Sequence, residues 1–315
     1  MKHSLQVLAA ALLTLASSAT GQSAFAPKSF AYVLQADQLA NSRAEAIQKL
    51  TASDRDLIVL DAAFSSGGEW TAAELDTIRS GKPGRRVVAY VSIGEAEDYR
   101  PYWKTEWDAD KDGKPDAAAP KFLNTENPDW KGNYRVRYWQ PQWQQIMLPA
   151  VDRVVAQGFD GIYLDIVDAF EFYEYDTATK DWLDNKPNPD TGKTYRQDMM
   201  TWVAAIAKRA REKQPAFLVI PQNASQLLEH ADYRAIISAI GVEDLFVTGK
   251  KLRTAKQSSY VIGFLDQLKA EGKPALVIDY PKSREVHAGA FEVAAKHGCT
   301  LLLTDRELTT LGESR

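Results

Sequence analysis

Short runs of consecutive apolar residues alternate along the chain with amphipathic segments. The runs are continuous, which is typical of strands that are buried on both faces of a parallel sheet. Eight such runs predict strands, over residues 30–34, 57–61, 86–92, 161–165, 217–221, 239–242, 275–279 and 300–304. Eight strands alternating with helices predict an α/β fold, namely a single (β/α)8 TIM barrel that spans residues 22–315.

The segments between the runs carry signals for helix ends. Ser42, Thr71 and Thr194 each stand three residues before a Glu or Gln, which is the pattern of a capping box, and Pro141 suits a first helical turn. A doubly wound sheet is the alternative fold. It is disfavoured because no Gly-x-Gly-x-x-Gly or Gly-x-x-x-x-Gly-Lys turn follows a predicted strand.

Two connections between predicted strands are unusually long, over residues 94–140 and 166–194. Long connections in a compact domain usually serve function. In a (β/α)8 barrel both would rise from the face that holds the carboxyl ends of the strands, where active sites lie. We therefore expect the third and fourth loops to border the functional site.

Acidic residues stand at the carboxyl ends of five predicted strands. A single acid in such a place is most often a loop cap, but several like charges at one barrel mouth repel one another unless a substrate or shared proton neutralises them. Paired carboxylates without a metal motif are what glycoside hydrolysis requires, one ionised and the other protonated. The candidate residues are Asp61, Glu95, Asp165, Asn223, Glu243, Asp279 and Tyr280.

Composition narrows the chemistry further. The 315 residues carry 38 Lys and Arg against 42 Asp and Glu, a net charge of −4, and no run of basic residues, so no nucleic-acid partner is expected. The single cysteine forms no intramolecular disulfide. The sequence lacks a Gly-x-Ser-x-Gly elbow and a His-Glu-x-x-His motif, which disfavours acyl transfer and zinc hydrolysis. No catalytic cofactor is therefore expected.

Aromatic residues are concentrated in the two long loops. Flat rings with polar edges suit the faces of sugars, although for any single ring the simpler explanation is that it packs the loops together. As a group they predict a lined groove. They are Tyr99, Tyr102, Trp103, Trp107, Trp130, Tyr134, Tyr138 and Trp139 in the third loop, and Phe170, Phe172, Tyr173, Tyr175 and Trp182 in the fourth.

The first residues have the order of a secretory signal. Lys2 and His3 precede an apolar run over residues 5–15, and small residues follow over 16–21. The apolar run is shorter than the roughly 20 residues needed to span a bilayer. We expect residues 1–21 to be removed and the protein to be secreted or periplasmic, without a membrane anchor.

The third loop also contains part of a calcium-binding pattern. Asp108, Asp110, Asp112 and Asp116 occupy positions 1, 3, 5 and 9 of an EF-hand-type loop, with Gly113 at position 6. The bidentate glutamate of position 12 is missing. The pattern therefore allows a weak structural calcium site, and a solvated acidic turn is the alternative.

Four stretches of the sequence resemble glycoside hydrolase family 114, in the same order along nearly the whole mature chain. They cover residues 89–103, 133–139, 158–168 and 241–245, and the third contains Gly-Phe-Asp-Gly-Ile-Tyr-Leu-Asp at the predicted fourth strand. The resemblance implies an endo-α-1,4-polygalactosaminidase-like enzyme built on a (β/α)8 barrel. It also implies a polysaccharide substrate, cationic where galactosamine is free, and a role in a biofilm exopolysaccharide system.

The resemblance assigns residue roles that the residues alone leave open. It makes Asp165 the nucleophile of a retaining mechanism and Glu243 the acid/base. Residues 176–194 of the fourth loop depart from the family and look like an inserted hairpin. The expected sugar-binding residues are Asp61, Glu95, Tyr138, Asn223, Asp279 and Tyr280.

Two other functions remain as alternatives. One is a catalytically silent polysaccharide-binding barrel of an exopolysaccharide system, which the loss of a catalytic acid would mark. Both acids are present, and this disfavours a silent barrel. The other is a metal-dependent polysaccharide deacetylase, which is disfavoured because the sequence lacks ligands with His-x-x-x-His-type spacing.

Overall fold

The parallel strands lie where the apolar runs predict them. A computed structural model describes residues 25–65 and 68–315, so the predicted signal segment lies outside the described residues. The strands, numbered β1–β8, are Phe30–Val33, Leu57–Asp61, Arg86–Ser92, Gly161–Asp165, Leu218–Pro221, Ile240–Glu243, Ala275–Asp279 and Thr300–Leu303. Their continuous burial matches the expectation for strands covered on both faces.

Helices alternate with these strands, and their ends follow the local sequence signals. Full capping boxes form at Thr71 and Thr194, whereas Ser42 caps its helix through its side chain alone. No helix within the described ranges is long and apolar enough to cross a membrane. The helices, numbered α1–α8, are Arg43–Ala52, Ala72–Ser80, Pro141–Gln157, Phe170–Glu174, Tyr195–Lys213, Ala231–Ile236, Ala255–Ala270 and His287–Lys296.

The strands pair in sequential order. β1 to β5 form one parallel sheet, and β6 to β8 form a second, which Glu313–Ser314 extends in the antiparallel sense. An isolated parallel bridge between Gln222 and Gly241 joins β5 to β6. A doubly wound sheet reverses its strand order at a switch point, and this order does not reverse. The α/β prediction is confirmed, while the pairing of the described strands gives two sheets rather than one closed ring.

The two faces of the strands pack into separate apolar clusters. The inner cluster contains side chains from β1–β5, β7 and β8, among them Tyr32, Tyr90 and Tyr163. The outer cluster joins the opposite strand faces to the helices. Gly241 makes room for the inner cluster, because a Cβ there would lie 1.7 Å from the Tyr163 hydroxyl oxygen. A layer of tyrosines thus lies inside the strands, directly below their carboxyl ends.

Short antiparallel strands give the two long connections their structure. The third loop contains a three-stranded sheet, and the fourth contains a hairpin that begins one residue before the predicted insertion. These strands are Glu95–Glu97, Leu123–Asn127 and Trp130–Val136 in the third loop, and Tyr175–Asp176 and Asp181–Trp182 in the fourth. Both loops follow the carboxyl ends of their strands, and they frame the cavity described below.

Candidate active site

A large cavity opens at the carboxyl ends of the strands, between the third and fourth loops. Its volume is about 1380 Å³. Residues at or just after the ends of several strands form its floor, and residues of both long loops form its walls. The floor includes Asp61, Tyr90, Asp165, Gln222 and Glu243.

Asp165 is the last residue of β4, and both of its carboxylate oxygens accept hydrogen bonds. The Tyr90 hydroxyl donates to Oδ2 at 2.6 Å, and the Ile166 backbone N–H donates to Oδ1 at 2.8 Å. Burial raises the pKa of Asp165, while these two hydrogen bonds act in the opposite direction. The donors therefore favour the ionised form of the Asp165 carboxylate, against the effect of burial.

Glu243 is the last residue of β6, and its side chain is held by residues that follow β7 and β8. The Tyr280 hydroxyl donates to its Oε1, and the Arg306 guanidinium lies over the Tyr280 ring, 4.1 Å from the centroid. Burial raises the pKa of Glu243 to about 7, and the charge of Asp165 adds to the increase. Glu243 therefore keeps its proton through mildly acidic pH, as a general acid requires.

Gln222 connects the two carboxyl groups. Its Nε2 lies 2.9 Å from Glu243 Oε2 and 3.2 Å from Asp165 Oδ1. Two oxygens that accept hydrogen bonds from one nitrogen at these distances are at most about 6 Å apart. Because the two N–H bonds of a planar amide diverge, an oxygen-to-oxygen distance of about 5 Å is favoured. The other end of this side chain, Oε1, is buried and has no hydrogen-bond partner among the described residues. The amide nitrogen of Gln222 thus fixes the spacing of the two acids, while the amide oxygen stays without a hydrogen-bond partner among the described residues.

The backbone turns sharply where these strands end. Ile166, Asn223, Ala224 and Asp244 have φ between 52° and 59°, the left-handed region that residues other than glycine seldom adopt. Such conformations cost roughly 1–3 kcal/mol each and cluster at functional sites. These four follow β4, β5 and β6, the three strands at whose carboxyl ends the linked side chains lie.

Four of the six predicted sugar-binding residues line the cavity. They are Asp61, Glu95, Asn223 and Tyr280. Asp61 is paired with Arg100, whose two terminal nitrogens donate to its carboxylate at 2.9 and 2.6 Å. Glu95 accepts from Asn127 on one oxygen, and burial raises its pKa. The second oxygen of Glu95 is buried without a partner among the described residues.

The structure corrects the other two predictions, Tyr138 and Asp279, because both side chains are buried away from the cavity. The Tyr138 hydroxyl donates to the backbone carbonyl of Tyr195 at 2.8 Å and ties the third loop to α5. Asp279 accepts from the Phe246 backbone N–H at 3.1 Å and holds the turn after β6. Side chains alternate along a strand, so Ile278 faces inward while Asp279 faces the outer layer.

Sequence reasoning missed Tyr90 and Gln222. In the structure Tyr90 shares the inward face of β3 with Val88, but the continuous apolar run of this strand does not show which face is inward. Gln222 and Asn223 are adjacent amides, and the sequence does not show which of them faces the carboxylates. In the structure Gln222 contacts both acids, while the side-chain oxygen of Asn223 accepts from the Glu243 backbone N–H at 3.1 Å.

Nine of the thirteen aromatic residues named for the long loops fall into two sets. Trp103, Trp107 and Tyr134 pack against one another and build the third loop, with the Trp103 and Tyr134 centroids 4.6 Å apart. A second set faces the cavity and includes side chains that are 40% to 61% exposed. This set is Tyr99, Trp130, Phe172, Tyr173, Tyr175 and Trp182.

The acidic segment of the third loop gathers three of its acids. Carboxylate oxygens of Asp108, Asp110 and Asp116 lie within 4.8 Å of one another, and backbone N–H groups of the same loop already donate to them. The calcium hypothesis therefore stays a prediction. A calcium site would raise the melting temperature in millimolar calcium, and chelator or Asp110→Ala would remove the increase. An unchanged melting temperature would show that the loop is an ordinary acidic turn.

Comparison with solved structures places this α/β fold among glycoside hydrolase domains. The glycoside hydrolase domain of PelA from Pseudomonas aeruginosa superposes with a TM-score of 0.61 at 20% identity, covering 91% of this chain and 98% of that domain. Aspergillus fumigatus Ega3, solved in complex with galactosamine, superposes with a TM-score of 0.60 at 18% identity, covering 95% of this chain and 98% of that chain.

The sequence identifies the family within that class. The chain belongs to glycoside hydrolase family GH114, whose profile matches residues 13–315, so the resemblance noted above is confirmed. An uncharacterized protein of Deinococcus radiodurans is 36% identical over 258 residues, 81% of this chain and 75% of the relative. One of Methanocaldococcus jannaschii is 36% identical over 241 residues, 74% of this chain and 63% of the relative.

Proposed function

We propose that this protein is an exported endo-glycosidase that hydrolyses α-1,4 linkages in a galactosamine-containing exopolysaccharide with retention of configuration. The observation that carries the proposal is the pair of carboxyl groups, Asp165 and Glu243, bonded to one amide. Its spacing supports a retaining enzyme, in which the carboxyl groups are about 5–5.5 Å apart, rather than an inverting one at about 6.5–9.5 Å. Family membership supports the reaction class.

In the proposed reaction, an oxygen of Asp165 attacks the anomeric carbon and forms a glycosyl ester as the bond to the leaving oxygen breaks. Glu243 gives its proton to that oxygen, so the departing sugar leaves as a neutral hydroxyl. Water then attacks the same carbon, passes a proton to the Glu243 carboxylate and releases Asp165. Two successive inversions retain the configuration.

The charge of the cavity supports a cationic substrate. Of the described residues, ten acidic and four basic ones line it. Two of the basic ones are already paired, Arg100 with Asp61 and Arg306 with Asp244. The excess of carboxylates creates a negative potential that attracts the ammonium groups of free galactosamine. That galactosamine occupies the solved Ega3 complex is consistent with this substrate class.

The pH dependence of hydrolysis should be bell-shaped, with each limb set by one carboxyl group. Activity should fall as the pH rises through about 7, because Glu243 then loses the proton that it must donate. It should fall on the acidic side as Asp165 becomes protonated, at a pH above the usual range of an aspartate. The measurement is kcat/KM against pH on a soluble substrate.

Two matched tyrosine variants assign the limbs. Tyr280→Phe removes a donor that lowers the pKa of Glu243, so the alkaline limb should move to higher pH. Tyr90→Phe removes the donor that lowers the pKa of Asp165, so the acidic limb should also move to higher pH. Movement of the opposite limb in either variant would contradict the assignment of acid and nucleophile.

The substrate proposal is tested with a panel of cationic and neutral exopolysaccharides. The expected result is the release of new reducing ends and internal fragments from a polymer with free α-1,4-linked galactosamine, read by mass spectrometry. Binding of such a polymer without any new reducing ends would favour the silent polysaccharide-binding protein. Export is tested by recovering the mature chain from culture medium or periplasm and sequencing its N-terminus, which should begin near residue 22.

A further inference from the structure

A second, smaller cavity adjoins the main one on the side of the fourth loop. Its volume is about 380 Å³. Five residues line both cavities, namely Asp168, Glu171, Trp182, Asn223 and Glu243, whereas Asp165 lines only the larger one and Tyr260 only the smaller. The two spaces are therefore neighbours, with the candidate general acid at their boundary and the candidate nucleophile on one side.

Two exposed aromatic rings stand at the second cavity. Trp182 comes from the hairpin of the fourth loop and is 58% exposed, and Tyr260 comes from α7 and is 62% exposed. Each is held by an edge-to-face neighbour, Trp182 by Tyr175 and Tyr260 by Phe264, both with centroids 4.9 Å apart. Flat rings that are fixed in place and exposed to water are suited to stacking on sugar faces.

The hairpin that carries Trp182 is anchored by a buried ion pair. Arg196 of α5 donates to Glu174, at the start of the hairpin, at 3.0 and 2.8 Å, and to Asp184, just beyond its end, at 2.5 Å. Arg196 and Glu174 are almost fully buried. This arrangement fixes the position of the ring, and it also occupies Arg196, the one cation among the described residues that line the cavity.

The remaining acids of the cavity have no cationic partner among the described residues. Glu171 accepts from the Gln226 amide at 2.5 Å, and Asp168 is partly buried beside it. Because Arg196 is committed to two other carboxylates, no cation among the described lining residues balances the carboxylate of Glu171. A ligand ammonium is the group that would complement it.

We infer that the second cavity binds the amino-sugar residues on the leaving-group side of the scissile bond. The inference rests on the proposed function and extends it, because the acid that protonates the glycosidic oxygen must lie between the attacked sugar and the departing one. Glu243 occupies that position between the two cavities. The sugar rings stack on Trp182 and Tyr260, and their ammonium groups face Asp168 and Glu171.

The experiment compares two substrates that differ only on the leaving-group side. One is a 4-nitrophenyl α-galactosaminide, which has no sugar there, and the other is a defined α-1,4-galactosamine oligomer labelled with ¹⁸O at its reducing end. For Trp182→Ala and for Tyr260→Ala, the ratio of oligomer to aryl kcat/KM should fall about tenfold. The cleavage position should shift toward the reducing end of the oligomer.

Conservative variants and a stability check complete the design. Trp182→Phe and Tyr260→Phe keep a ring and should restore most of the ratio, while the melting temperatures of all four variants show that they are folded. An oligomer-to-aryl ratio and cleavage pattern equal to those of the wild type in both alanine variants would overturn the inference. If the wild-type protein hydrolyses neither the aryl galactosaminide nor the oligomer, the proposed function itself is overturned.

Discussion

Asp165→Asn and Glu243→Gln should each reduce the rate of polymer hydrolysis to a small fraction of the wild-type rate. Both replacements are nearly isosteric, and each removes one half of a two-carboxylate mechanism. Loss of the general acid is worth about 10²- to 10⁴-fold in rate, and loss of the nucleophile should cost at least as much. The measurement is the initial rate of reducing-end release by purified variants.

The matched control for this pair is Asp61→Asn, at another acidic strand end in the same cavity. Its partner Arg100 also pairs with Glu97, so the local structure keeps a charge partner, and the reduction in rate should be far smaller. Unchanged melting temperatures exclude misfolding as the cause of lost activity. Hydrolysis near the wild-type rate by a folded Asp165→Asn or Glu243→Gln variant would rule out the assigned pair.

Gln222→Leu should lower kcat about 10- to 100-fold while lowering the melting temperature only slightly. The amide donates to both carboxyl groups, and a hydrogen bond to a charged group contributes about 1.5–3 kcal/mol. Loss of these hydrogen bonds costs stability, and removal of a buried oxygen that has no partner among the described residues offsets part of that cost. We therefore expect activity and stability to separate at this position, which is unusual for a residue 2% exposed.

The pH profile shows whether Gln222 acts by positioning the acids. Loss of a donor to ionised carboxylates should raise the pKa of both, so both limbs of the bell should move to higher pH. Gln222→Asn provides the comparison, since it keeps an amide on a side chain that is one methylene shorter. If the melting temperature falls together with activity and neither limb of the pH profile moves, Gln222 is a packing residue and does not position the acids.

The chain pattern predicts the backbone better than it predicts the site. β2, β3, β4 and β7 have the expected bounds, because burial on both faces makes each of them a continuous apolar run. Position at a strand end also placed Asp165 and Glu243 among the candidate acids, and the resemblance to the family selected them as the pair. The same criterion selected Asp279, which faces the outer layer and holds a turn, because the end of a strand does not reveal the direction of the side chain.

Contacts between distant segments lie beyond the reach of the sequence pattern. Gln222 is 57 residues from Asp165 and 21 from Glu243 in the chain, and only the folded strands bring the three together. Tyr138 similarly looks like a groove aromatic in the sequence and proves to be a link to α5. The burial that raises the pKa of Glu243 is also a property of the assembled cavity.

The most direct test of the account is proton NMR of the hydrolysis of α-1,4-linked galactosamine oligomers, recorded before mutarotation. The account predicts that the first-formed reducing end is the α-anomer, because Asp165 and Glu243 share one amide at the spacing of a retaining pair. A β-anomer formed first, or no new anomeric signal from any galactosamine oligomer, would contradict it.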